Sequence, residues 1–87
     1  MAKRTFTADE AREIGGRLGV SWTDVDLEQF RLGLAVELEH GTASPETNVT
    51  GDDLLVTGRI ALAHLREIRD YYTRLARMEA EAEAEAR

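Results

Sequence analysis

From Arg59 to about Met78 the apolar residues recur at three- and four-residue intervals, a period that only an α-helix turns into one continuous face. Ile60, Ala61, His64, Leu65, Ile68, Tyr71, Tyr72, Leu75 and Met78 fall together, whereas Arg59, Arg66, Arg69, Thr73 and Arg77 fall opposite them. So broad a face has to be covered by other helices. His64 lies near its middle, Glu67 at its edge, and Tyr71 two turns beyond His64.

A second helix is expected from about Leu27 to His40, with Asp26 capping it, Gln29 at the third helical position and Gly41 closing it. Stepping about 100° per residue, Leu27, Phe30, Leu34 and Leu38 form one stripe, and Leu32 and Val36 lie on the opposite side with Ala35 on the flank. A helix apolar on two sides is sandwiched between neighbours. Gln29, Gly33, Glu37 and His40 occupy the strip between the stripes, so polar groups are carried into a largely buried setting, while Glu39 points elsewhere, toward solvent.

Ahead of these, Met1 to Phe6 reads as a short basic leader and Thr7-Ala8-Asp9-Glu10 as a capping box opening a first helix from about Ala8 to Leu18. Ala11, Ile14 and Leu18 are its buried stripe. Gly15 and Gly16 each cost about 1 kcal/mol relative to alanine, which points to the close approach of another backbone. Gly19 fits the position after the helix end, with Val20 as the apolar contact of a Schellman stop. In the connector Ser21 to Val25 the single tryptophan, Trp22, is expected to plug the joint between helices. Asp24 and Asp26 hint at a calcium loop, but its glycine and terminal glutamate are missing. Thr42 to Asp53, with the only proline, Pro45, reads as a long loop. The third helix then starts between Gly51 and Gly58, with a capping-box-like Thr50 to Asp53. Glu79 to Arg87, alternating Glu with Ala, reads as its solvated, fraying continuation.

At 87 residues the chain is one domain, residues 1–78, followed by the tail 79–87. A domain of that size buries only about 60 to 65 % of the surface its unfolded chain exposes. No cysteine is present, so any metal must use nitrogen and oxygen ligands. With no basic hydrophobic leader and no apolar run near the ~20 residues a bilayer requires, the expected compartment is the cytoplasm with no membrane partner. The sequon Asn48-Val49-Thr50 is then a chance match. A net charge of −6 argues against nucleic acid as a partner, since phosphate binding needs a basic surface.

The chemistry concentrates on the two histidines. Glu37 stands three residues before His40, and Glu67 three after His64, a spacing that places each pair on one helix face. Helical Glu-x-x-His pairs joined by further glutamates are how ferritin-like bundles hold two irons. Glu37, His40, His64 and Glu67 are therefore the candidate metal ligands, for iron, manganese or zinc, and no organic cofactor is expected. His64-Leu65-Arg66-Glu67 runs in the reverse order. The chain has no glycine-flanked serine, no phosphate-cradling glycine loop and no HExxH, which leaves a ferroxidase-like metal oxidation as the one enzymatic reading.

The runs Leu18-Gly19-Val20-Ser21-Trp22, Asp26 to Leu34, Val36 to Gly41, Thr57 to Leu65 and Asp70 to Leu75 resemble a family of small helical bacterial and phage proteins catalogued as a domain of unknown function. The likeness covers about residues 10 to 78 and implies no particular activity. It marks a Glu-x-Glu-His segment, an Ala-x-His-Leu segment and a Tyr-Tyr pair, here Glu37, Glu39, His40, His64, Tyr71 and Tyr72. Members of the family commonly carry a proline after the position of Glu67. Here Ile68-Arg69-Asp70 stands there, so the third helix is expected to run straight. Glu37 to His40 is also similar to encapsulated ferritins, two-helix subunits that complete a bundle by dimerisation.

The expected fold is all-α: three helices with a long loop between the second and third, completing a four-helix, ferritin-like bundle as a homodimer or higher oligomer. The expected function is a buried Glu/His metal site. The alternative is a non-enzymatic interaction or structural module in which the same residues form a core hydrogen-bond network.

Overall fold

Four α-helices and no strand make up the described part of the computed structural model: α1 Ala8–Arg17, α2 Leu27–Ala43, α3 Leu54–Glu67 and α4 Tyr71–Glu85, with a 3-10 turn at Pro45–Thr47. The structure describes residues 4–43, 45–48, 51 and 53–86, the side chains at positions 40, 42 and 47 excepted.

Local chemistry sets both ends of α1. The Thr7 hydroxyl accepts from the Glu10 amide at 3.1 Å and the Glu10 carboxylate accepts from the Thr7 amide at 2.9 Å, closing the capping box. At the other end Val20 donates to the Gly15 carbonyl and Gly19 to that of Gly16, with Gly19 at φ 74°, which completes the Schellman motif. Phe6 departs from the leader assigned to it. Its side chain is 2 % exposed and it packs in the core. It precedes the cap and Ala11 follows at the fourth helical position, the two places of a hydrophobic staple.

Gly15 makes room for a side chain rather than for another backbone. A Cβ there would lie 2.5 Å from the Trp22 ring, which meets Phe30 edge to face at 5.7 Å, whereas Gly16 has nothing within 4 Å. Trp22 thus wedges between α1 and α2, and only Gly15 of the pair is required by it.

α2 starts where Asp26 accepts from the Gln29 amide at 2.9 Å. Phe30, Leu34 and Leu38 are buried in the core, while Leu32, Ala35 and Val36 are half-buried on the other flank. The helix passes through Gly41 and ends at Ala43, beyond the stop assigned to that glycine. Among the described glycines only Gly19 and Gly51 take a positive φ, and a glycine in ordinary helical geometry does not end a helix. Thr50 lies outside the described residues. Asp53 starts α3, its carboxylate accepting from Leu55 and Val56 at 2.8 and 3.1 Å.

The long third helix of the sequence pattern is two helices. Ile68 has φ −136° and ψ 112°, extended values that interrupt the ladder, and α4 begins at Tyr71. The straight helix expected from the absent proline, and with it the three-helix count, is corrected to four helices in one chain. The break also removes two residues from the apolar face assigned to them: Ile68 is 42 % and Met78 57 % exposed. Beyond Met78 every described residue of α4 is exposed, and the helix continues through Glu85.

The two neighbouring glycines give opposite expectations. Gly15→Ala must displace a rigid indole and should lower the unfolding free energy by about 1 to 3 kcal/mol, whereas Gly16→Ala should raise it by about 0.5 to 1 kcal/mol. Urea denaturation of both variants measures the pair. A Gly15→Ala variant as stable as Gly16→Ala, or more stable, would overturn the wedge.

Candidate functional site

Gln29, Gly33 and Glu37 stand four residues apart along α2, so they line up on one strip of the helix. The N-terminal end of α4 is held on that strip. A Cβ at Gly33 would lie 2.5 Å from the Tyr72 ring; the glycine is the gap into which the phenol lies. Tyr72 is 3 % exposed and is the one buried residue of α4.

The polar groups on either side of that gap bind the two ends of the tyrosine. Its hydroxyl donates to Glu37 Oε2 at 2.7 Å. Its backbone amide donates to Gln29 Oε1 at 3.0 Å, and the Thr73 amide reaches the same oxygen at 3.4 Å. Gln29 Nε2 donates in turn to the Thr73 hydroxyl at 2.6 Å. Asp70, at the N-cap position, makes no side-chain capping bond. Its carboxylate is instead bound by Arg74 at 2.7 Å, which holds its carboxyl below the usual range. Two orphan amides of the first turn of α4, those of Tyr72 and Thr73, are therefore capped by a glutamine of another helix.

His64 comes to this strip from α3. Its Nε2 stands 3.6 Å from Glu37 Oε2, the oxygen that also accepts from Tyr72. Its ring stacks on Tyr71, with centroids 4.3 Å apart and planes within 3°, and meets Tyr72 edge to face at 6.2 Å. Glu37 is 9 % exposed and the His64 side chain 37 %, so the network runs from a buried carboxylate to a half-open imidazole. Burial, then the bond to Glu37, pushes the Tyr72 phenol well above the ordinary tyrosine value, and it keeps its proton while donating a hydrogen bond to the carboxylate. No buried side-chain nitrogen or oxygen among the described residues lacks a partner.

Of the four residues chosen as ligands, the fold brings together Glu37 and His64. Glu67 lies in the last turn of α3 and is exposed. His40 belongs to α2 one turn after Glu37, but its side chain lies outside the described residues. Among the described residues no group of three or more histidine, aspartate and glutamate side chains could hold a metal ion in common. Gln29 had been assigned only to the strip and to the cap of α2, and Tyr72 to an apolar face and the Tyr-Tyr pair; together they carry most of the contacts. The recoverable signal was the Gln-Gly-Glu spacing, a gap of one aromatic ring between a hydrogen-bonding amide and an acceptor.

Family comparison agrees with the resemblance of the sequence runs. The family described as Protein of unknown function (DUF5661) matches residues 11–81, and the chain belongs to it. No curated protein and no solved structure matches the chain, and the similarity to encapsulated ferritins rests on Glu37 to His40 alone.

The Tyr72 shift fixes the sign of an alkaline effect. In the unfolded chain the phenol titrates near ~10; in the fold it holds its proton to higher pH. Its contribution to stability is complete below the unfolded value and is lost progressively as pH rises above it. Wild-type stability should therefore fall from about pH 10 upward, with one more proton released on unfolding than in Tyr72→Phe. Urea melts at several alkaline pH values measure the slope, and equal slopes for the two proteins would refute the buried phenol.

Proposed function

We propose that this member of the DUF5661 family is a non-enzymatic protein-interaction module, in which Glu37, His64, Tyr72 and Gln29 form a structural network that fixes α4 on α2. The observation that carries this reading is the 2.7 Å bond from the Tyr72 hydroxyl to the buried Glu37 carboxylate. A carboxylate already satisfied by a phenol, beside an imidazole, is arranged to specify one packing of a small core. The compartment proposed with this reading is the cytoplasm; among the described residues no helix is long and apolar enough to cross a membrane.

Tyr72→Phe should lower stability by about 1 to 3 kcal/mol, because it strands the buried carboxylate, and should leave metal content unchanged. His64→Ala should cost less, since its imidazole is partly open to solvent. Thermal melts together with elemental analysis separate the outcomes. If neither variant changes stability, the network is not what holds α4.

A second reading keeps the metal, and the Glu37–His64 separation favours it. Two donors bound at ~2.1 Å to a tetrahedral ion stand about 3.4 Å apart, close to the 3.6 Å found here. On this reading His40, one turn after Glu37 on α2, supplies a third ligand for iron, manganese or zinc in place of the exposed Glu67, and a ferroxidase-like reaction would follow only with iron. Protein soaked with ferrous iron, manganese or zinc and then desalted should carry the ion; a content under about 0.1 per chain by elemental analysis ends the metal reading, since a built site retains its ion.

Self-association is proposed with either reading. Its support is the outer flank of α2, where Leu32, Ala35 and Val36 join Phe6 and Leu75 around an open cavity of about 210 Å³. A second copy of the chain covering that flank would bury the second apolar side of α2 and assemble a larger shared bundle. Sedimentation should give a dimer or a higher species, and a strict monomer would remove the shared bundle.

A further inference from the structure

A second concave site lies on the opposite side of α3, between the connector after α1 and the break after Glu67. It encloses about 370 Å³, with Val20, Val25, Leu62 and Leu65 among its walls and Arg66 and Arg69 beside them. That volume lies within the range of small-molecule sites. No residue of the Glu37 network lines it.

The two arginines are set apart from most others in the chain. Arg4, Arg12, Arg17, Arg31 and Arg74 each pair with a carboxylate, Glu10, Asp9, Glu13, Glu28 and Asp70 in turn. Arg66 and Arg69 take part in no described ion pair or hydrogen bond, in a chain with 17 acidic side chains. Arg66 is in the last turn of α3 and Arg69 in the non-helical step after it. Three positions apart in the chain, the two side chains are neighbours, and both border the cavity. Asp24 also lines the cavity, so two positive charges and one negative leave a net charge of +1, which one carboxylate neutralises. Ser21 is engaged with Thr23 at 2.8 Å, and the guanidinium forks are left as the donors for an anion.

We propose that this cavity binds a monocarboxylate with a short aliphatic body, its carboxylate on Arg66 and Arg69 and its chain against Val20, Val25, Leu62 and Leu65. The same chemistry is offered by a free fatty acid of short chain and by the C-terminus of a peptide that ends in an aliphatic residue.

Titration of 15N-labelled full chain with hexanoate tests this. The amides of Gly19, Val20, Ser21, Arg66 and Arg69 should shift saturably, with a Kd on the order of 1 mM. Hexanamide, which lacks the charge, and inorganic phosphate, which lacks the chain, should each bind at least ~10-fold more weakly. An N-acetylated dipeptide ending in leucine identifies the source: tighter binding than hexanoate assigns a peptide C-terminus, weaker binding a free acid. Arg66→Gln and Arg69→Gln alter exposed side chains, so both should keep the wild-type melting temperature while weakening hexanoate by about 10-fold. The proposal is overturned by the absence of saturable shifts at ~20 mM hexanoate, by equal binding of hexanamide or phosphate, or by unchanged affinity in both arginine variants.

Discussion

The place of α4 depends on one tyrosine held at two ends. Tyr72 is the only residue that α4 buries fully, with Tyr71 and Leu75 packed partly against the core, and its own burial contributes roughly 1.5 to 3 kcal/mol. A hydrogen bond to a charged acceptor contributes a comparable ~1.5 to 3 kcal/mol, and neutral ones about 0.5 to 1.5 each. The bonds from Glu37 and Gln29 are thus of the same order as the packing they accompany. In α1, α2 and α3 the balance is different. Phe30, Leu34, Ala61, Leu62 and Leu65 are buried together, and polar contacts there mainly cap helix ends.

That division explains which parts of the fold are legible in the sequence. The capping box at Thr7, the Schellman stop at Gly19 and the start of α2 at Asp26 are decided by residues within a few positions of one another, and each follows from local pattern. The break at Ile68 is not of that kind. The segment from Arg59 to Met78 keeps helical periodicity throughout, and no proline or glycine interrupts it. What favours the break is a partner far away in sequence: Gln29 supplies the cap that Asp70 does not, and Glu37 receives the hydroxyl of a tyrosine that only the second helix can deliver. Phe6 was misplaced for a related reason. One aromatic residue after basic ones gives no periodicity to read, yet the core takes its ring, and Arg31 donates to its carbonyl at 2.9 Å.

The candidate site was half legible. The strip on α2 followed from angular position, and the convergence of His64 on Glu37 followed from the two apolar faces having to meet. Glu67 was chosen for its spacing from His64, but position on the same helix face does not ensure burial at the end of a helix, where the next residues turn away. The role of the Tyr-Tyr pair required the break itself. Once the helix is interrupted, Tyr71 can lie flat on the imidazole and Tyr72 can reach across to Gly33, one ring bounding the open side of the site and the other closing its floor.

Gly33 and Tyr72 also bind the sequence history of the two helices together. Any side chain at position 33 occupies the space of the phenol ring, and any smaller residue at position 72 leaves Glu37 without its hydroxyl donor and Gly33 facing a void. Neither position can change alone without creating a defect that the other, or Glu37, has to absorb. Among relatives that keep this packing, positions 33, 37 and 72 should vary as a linked set, with the glycine, the carboxylate and the tyrosine lost together or retained together. Gln29 is freer, because its oxygen bonds to backbone amides and its nitrogen to the Thr73 hydroxyl, contacts that survive replacement of the side chain at position 72.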